Sequence, residues 1–300
     1  MSEPRLNYVS CPDAQGGHRM AYWQWGNPAA SHVVLCVHGL SRQGRDFDVL
    51  AQALCARGGD RLQVVCPDVA GRGRSDWLKD PMGYQVPAYG ADMLALLGVL
   101  QPKTLDWVGT SMGGLIGLGL AGQPQLPFGI RKLVLNDVGP TIEWQAIQRI
   151  GNYLGEVIRF DSVEQAADAL RLISAGFGPH TREQWLALTR PMLKPAPDGR
   201  AYVLHYDPAI AVPFRTLTPE TSAQGEAVLW RLYDAITADT LLLRGADSDL
   251  LSVQTARAMT QRGPRARLVE FTGVGHAPTL VAADQVQAVC DFLLPAATAG

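Results

Sequence analysis

The residues that could do chemistry begin with Gly109-Thr110-Ser111-Met112-Gly113-Gly114, which follows the apolar run Leu105 to Val108 and opens an apolar helical stretch, Met112 to Ala121. A serine on so sharp a strand-to-helix turn is held in a strained conformation, and small neighbours are needed where the backbones crowd. Gly109, Gly113 and Gly114 supply them. The turn also sets Ser111 at a helix N-terminus, where backbone N–H groups and the helix dipole favour a developing negative charge. A serine hydroxyl is a weak nucleophile at neutral pH and needs a base, ordinarily histidine. His276 stands in Gly273-Val274-Gly275-His276-Ala277-Pro278, a loop between the last strand and the last helix, and such loops emerge at the same sheet edge as the serine turn. His18, His32, His180 and His205 lack that setting and read as surface or hydrogen-bonded structural residues.

A carboxylate that accepts a hydrogen bond from the imidazole completes such a pair, and on this kind of turn it falls between serine and histidine along the chain. The loop after Leu241-Leu242-Leu243-Arg244-Gly245 offers Asp247 and Asp249. Asp249 is the expected acid, because Leu250 and Leu251 behind it read as the buried anchor of the loop and Ser252 can cap the next helix. Asp247 and, from another strand end, Asp137 are the alternatives. An oxyanion on the attacked carbonyl requires two backbone donors. Met112 supplies one, and Leu40 in Val37-His38-Gly39-Leu40 the other, with Gly39 letting the Leu40 N–H turn toward the serine and His38 as a structural post below the site. Arg42 on the same loop is placed either to contact a substrate carboxylate or to pair with Asp46 or Asp48.

Gly71-Arg72-Gly73 beside Arg74 has the look of a phosphate loop but lacks the third glycine, the downstream acid and the lysine-serine pair. The stretch Asp68 to Ser75 reads as a sharp turn after a strand. No Cys/His set has zinc spacing and no calcium-loop pattern occurs, so no metal is implied.

The elements that must position these residues alternate over the first 137 positions. Short apolar runs, Arg19 to Trp25, Val33 to Val37, Leu62 to Cys66, Leu105 to Val108 and Leu133 to Leu135, are separated by helical stretches such as Phe47 to Ala56 and Ala88 to Leu100. That grammar predicts crossover units and a mostly parallel sheet covered on both faces. From Pro140 to Tyr233 strand signals vanish and helix starts appear, Ser162 with Gln165 and Thr181 with Gln184, followed by a proline-dense stretch. Strand and helix then resume with Thr240 to Leu243, a helix from about Ser252, Arg267 to Phe271 and a helix from Leu280 to Leu294. The expected organisation is an α/β core over 1–139 and 234–300, interrupted by a helical cap over 140–233.

Bulk properties narrow the partners. With 47% apolar residues in 300, the chain can bury a sizeable core. A net charge of −2 leaves no electrostatic footprint for nucleic acid or an anionic membrane, so a small molecule is the expected partner. The segment Met1 to Tyr8 carries Glu3 and Arg5 and has no continuous apolar stretch, which points to the cytoplasm. The greasiest window, Leu105 to Gly122, holds Asp106 and is glycine-rich, a poor membrane span. Five cysteines at 11, 36, 55, 66 and 290 have no paired spacing and read as reduced thiols. Oligomeric state leaves no mark that can be read.

His38-Gly39, the Asp68 to Ser75 turn, the Ser111 turn, the Asp247 to Asp249 loop and Gly275-His276, in this order and spacing, resemble the α/β-hydrolase superfamily over most of the chain. The resemblance implies an eight-stranded, mostly parallel sheet, a helical cap over the pocket, no cofactor and a Ser-His-Asp triad acting on a small-molecule ester through an acyl-enzyme. One departure stands at the acid: relatives commonly carry Gly-x-x-Asp where this chain has Ser248 between two aspartates. Among relatives, epoxide hydrolases and haloalkane dehalogenases look for an aspartate at the position of Ser111 and are disfavoured. Carbon–carbon bond hydrolases and non-catalytic ligand receptors of the same shape stay open beside esterases. Trp144, Trp185, Phe214 and Trp230 are candidate pocket walls, Trp144 as a substrate contact, with packing inside the cap as the competing role.

Overall fold

The structure, a computed structural model, describes residues 3–295. Its first part runs β1 (Arg5–Cys11), β2 (His18–Gly26), β3 (His32–Val37), α1 (Asp48–Gly58), β4 (Leu62–Pro67), α2 (Val86–Leu100), β5 (Thr104–Thr110), α3 (Met112–Ala121) and β6 (Ile130–Asn136). A long insertion follows, with α4 (Trp144–Gly151), β7 (Arg159–Phe160), α5 (Val163–Ile173), α6 (Arg182–Thr189), β8 (Leu193–Pro195), β9 (Tyr202–Leu204), α7 (Ala211–Phe214) and α8 (Pro219–Asp234). The chain closes with β10 (Asp239–Gly245), α9 (Val253–Met259), β11 (Arg267–Phe271) and α10 (Ala283–Leu293).

The main sheet has eight strands in the order β1-β2-β4-β3-β5-β6-β10-β11. Only the junctions of β1 with β2 and β2 with β4 are antiparallel; the others are parallel, as the alternation of strands and helices requires. Because side chains alternate across a strand, Val34 and Cys36 of β3 pack with Leu50 and Leu54 of α1 and Leu293 of α10, while Val33, Leu35 and Val37 join Leu96 of α2 and Ile116 of α3 on the opposite face. Each such buried Val, Leu or Ile stabilises the fold by roughly 1.5–3 kcal/mol relative to an exposed one. The two cores therefore clamp the central strands, and their C-terminal ends are the fixed points from which the loops leave.

Two elements depart from expectation. β1 is an additional strand; it lies at the sheet edge with most of its side chains in solvent, so its apolar signal is weak. The insertion is not purely helical: β7, β9 and β8 form a three-stranded antiparallel sheet. These strands are two or three residues long and depend on pairing across distant segments, which leaves no local period to read. The helix starts are as expected: Ser162 accepts from the Gln165 N–H, and Thr181 with Gln184 forms a complete capping box. The insertion is pinned to the core at the Asp68–Ser75 turn. Gly73 N–H donates to the His205 carbonyl at 2.8 Å, Asp207 N–H to the Gly71 carbonyl at 2.7 Å, and Tyr84 Oη to the Asp207 carboxylate at 2.6 Å.

A buried histidine holds the edge of the sheet. His18 on β2 sits between Asp92 of α2, 3.0 Å from Nε2, and Asp13, 3.0 Å from Nδ1. The hydrogen bond to Asp92, followed by those to the Cys11 thiol and Asp13, outweighs burial and raises His18 to about 11. Its folded pKa lies above the unfolded value, so its contribution is fully present below about pH 6.5 and is lost progressively as pH rises toward 11. The difference in Tm between wild type and His18→Gln should thus be largest near pH 6 and shrink by pH 10; a difference that grows with pH would contradict the ion-pair account.

Candidate active site

Ser111 stands between β5 and α3 with φ 51° and ψ −115°, a conformation costly for any residue with a Cβ. The turn is affordable only because its neighbours are glycine. A Cβ at Gly109 would run into the Gly113 carbonyl, one at Gly113 into the Val37 carbonyl, and one at Gly114 into the Val138 side chain. Trp107, fully buried on β5, donates its indole N–H to the Gly113 carbonyl at 3.0 Å and fixes the start of α3. The serine is thereby presented at the C-terminal edge of the sheet.

His276 Nε2 lies 2.9 Å from Ser111 Oγ. Its Nδ1 lies 2.7 Å from Oδ2 of Asp137, the residue that directly follows β6 and Asn136. A carboxylate can only accept, so Nδ1 carries the proton and Nε2 is left to accept from the serine hydroxyl. Asp137 is fully buried, and its other contacts are the Gly245 N–H on Oδ1 at 2.9 Å and the Ser248 hydroxyl on Oδ2 at 2.6 Å.

The expectation for Asp249 is therefore corrected. Leu250 and Leu251 do anchor the loop in the interior, but the anchor leaves Asp249 facing the surface of the insertion, where it forms a two-pronged ion pair with Arg149 of α4 at 2.7 and 3.0 Å. Asp247 is exposed as well. Ser248 alone of this loop reaches the carboxylate, and it does so from the position where the resemblance leads one to look for the acid itself.

Leu40 and Met112 flank Ser111 from two sides. Among the described residues neither backbone N–H has a hydrogen-bond acceptor, so both are free to bind an oxygen. His38 holds the Leu40 side in place: Nδ1 donates to the Gly39 carbonyl at 2.7 Å, and Nε2 accepts from the Val69 N–H at 2.9 Å. Because a trans peptide points its carbonyl and N–H in opposite directions, fixing the Gly39 oxygen also aims the Leu40 N–H. Burial keeps His38 neutral, pushed down to about 3, so this post does not change charge across the working pH range. Arg72, fully buried, bonds the Leu40 carbonyl through Nε at 2.8 Å and rests Nη2 against Met112 Sδ at 3.7 Å. It braces both walls at once, a role that the sequence signals only by an arginine inside a Gly-x-Gly turn.

A cavity of about 140 Å³ opens in front of Ser111 and His276. The core contributes Leu40, Thr110 and Ala277, and the insertion contributes a mostly apolar wall that includes Leu154, Leu170, Met192 and Tyr206. Arg42 pairs with Asp46 at 2.6 and 2.7 Å, one of the two placements read from sequence, and it lines this space. Trp144 does not: it lies outside the lining, on a different face of α4 from Arg149 and Ile150, which do reach the cavity. Trp185, Phe214 and Trp230 are likewise packing residues. Trp185 stacks on Phe177 at 6.0 Å, Phe214 packs against the main core, and Trp230 donates to Thr141 Oγ1 at 2.9 Å. Among the described residues one group, Cys11, His18 and Asp92, brings metal-type ligand atoms together, but both nitrogens of that histidine are already engaged by carboxylates.

Comparison with known proteins bears on this site. Residues 34–291 match the model of the alpha/beta hydrolase family. A 3-hydroxybutyrate-oligomer hydrolase of Cupriavidus necator is 53% identical over 97% of the chain and 98% of its own length. The crystal structure of an alpha/beta hydrolase from Novosphingobium aromaticivorans superposes with a TM-score of 0.83 at 34% identity, covering 99% of this chain and 100% of that one. An esterase from Mycobacterium tuberculosis, at 22% identity, TM-score 0.69 and coverage of 98% and 92%, shares the fold.

The glycine requirement can be measured directly. Gly113→Ala should destabilise the protein by about 3 kcal/mol or more in denaturant unfolding, since backbone and not a flexible side chain occupies the space; a loss below about 1 kcal/mol would mean that β3 and α3 can separate freely.

Proposed function

The chain belongs to the alpha/beta hydrolase family, and from that premise we propose that it is a serine esterase cleaving 3-hydroxybutyrate oligomers or closely similar short aliphatic esters. The observation that carries the reading is the hydrogen-bonded line Ser111–His276–Asp137, set beside two unengaged amides in front of a small apolar cavity. In this mechanism His276 Nε2 takes the Ser111 proton as Oγ attacks the ester carbonyl. The Leu40 and Met112 amides receive the negative charge that forms on the carbonyl oxygen; each such donor is worth about 10²–10³ in rate. Collapse expels the alcohol, protonated by His276, and water then repeats the sequence to release the acid.

Asp137 holds the imidazole in the productive tautomer and balances its charge when it is protonated. Ser248 acts as a positioning residue that keeps the carboxylate turned toward the histidine. The insertion serves as the cap that shapes the acyl site. The 53% identity to an oligomer hydrolase supports ester cleavage over the carbon–carbon and receptor readings. Five free cysteines, four of them buried, fit a reducing compartment and support action in the cytoplasm.

Turnover of 3-hydroxybutyrate dimer and p-nitrophenyl butyrate, with labelling by a fluorophosphonate, tests the reading. Ser111→Ala should lower kcat on the order of 10⁶-fold and abolish labelling, and Asp137→Asn should lower it about 10⁴-fold. Asp249→Asn should stay within about threefold, given the modest worth of an exposed pair. A reversed ranking of the two aspartate variants would overturn the assignment of the acid. Ser248→Ala should reduce kcat about tenfold with KM retained, and Ser248→Thr, which keeps the hydroxyl, should restore most of it.

A further inference from the structure

The cavity beside Ser111 is small. At about 140 Å³ it compares with a buried cavity near 150 Å³ that accepts benzene, a ligand of roughly six non-hydrogen atoms. A single 3-hydroxybutyryl unit, with four carbons and two oxygens, is of that size. Any longer ester must leave part of its chain outside.

What lies outside is aliphatic. The turn after α4 and the end of α5 meet at the mouth, where Tyr153, Ile158 and Ile173 line the cavity and are also exposed. Ile173 follows Leu170 by about one helical turn, so the two present a continuous apolar edge from the cavity to its rim. Large apolar side chains gathered at the rim of a cleft mark a binding surface. The charged residues that line the cavity are Arg42, Arg149 and Glu156, with Arg42 paired to Asp46 and Arg149 to Asp249.

We propose that this collar binds the outlying units of the same oligomer, an aliphatic polyester whose internal repeats carry no charge and each have a methyl and a methylene, so that affinity increases with chain length. The inference rests on the oligomer reading above. Its occupant is indicated by continuity: the collar is the outward extension of the cavity that holds the reacting unit. Each repeat laid on it removes a small aliphatic area from water.

The test measures kcat/KM for 3-hydroxybutyrate dimer, trimer and tetramer on the full chain, wild type and the double variant Ile158→Ser with Ile173→Ser, alongside sedimentation of both. Wild type should gain about fivefold per added unit, and the double variant should lose most of the tetramer-to-dimer ratio. A flat wild-type length profile, which needs no variant, overturns the collar while leaving ester cleavage intact, and so does an unchanged ratio in a folded double variant. A wild-type dimer that the double variant dissociates, with the length profile unaltered, gives the surface to a second copy and also overturns it. Turnover of p-nitrophenyl butyrate with no oligomer cleaved at any length removes the oligomer reading and the collar together.

Discussion

The buried carboxylate of Asp137 is the interaction on which the rest of the site depends. A charge so far from water is tolerated only when its oxygens are fully engaged, and here a backbone N–H, a hydroxyl and an imidazole N–H engage them. Those three donors come from the end of β10, from the loop behind it and from the loop before α10, while the acid itself leaves the end of β6. One side chain thus fixes the relative placement of two neighbouring strand ends and the histidine loop. Removing any donor would leave the others holding a partly solvated charge in a dry pocket.

From this point the geometry spreads outward in rigid steps. His276 can face Ser111 because Asp137 holds its other nitrogen, and Ser111 can face the cavity because glycine backbones let α3 approach β3. On the far side His38 and Arg72 play the matching part for Leu40, one through the Gly39 carbonyl and the other through the Leu40 carbonyl. Neither brace is an exposed ion pair open to screening by salt. The insertion contributes the walls rather than the chemistry, and it is tied to the core through backbone bonds at Gly71 and Gly73.

Ser111 and His276 were legible in the sequence because each is announced locally, by glycines beside it or by its place between a strand and a helix. The eight-stranded sheet was legible for the same reason, apart from its half-exposed edge strand. The acid was not. Asp137, Asp247 and Asp249 all follow strands, and the choice among them is made by which backbone turns its side chain inward, a property of tertiary packing. The sequence does carry the pertinent oddity, Ser248 at the place of an expected aspartate, but a hydroxyl there gains meaning only once it is seen to donate to Asp137. The insertion was legible in its helix caps and opaque in its walls, since Ile150 and not Trp144 meets the cavity for reasons of helix rotation that a single period does not resolve.

The Ser248–Asp137 contact also sets how charge is distributed around the histidine. The ends of β6 and β10 meet at the Asp137 carboxylate, and a second carboxylate in place of the Ser248 hydroxyl would repel the first. A hydroxyl avoids this: it accepts burial without charge and donates to Asp137. The departure at residue 248 thus leaves one charge, not two, beside His276, with a hydroxyl holding it in place.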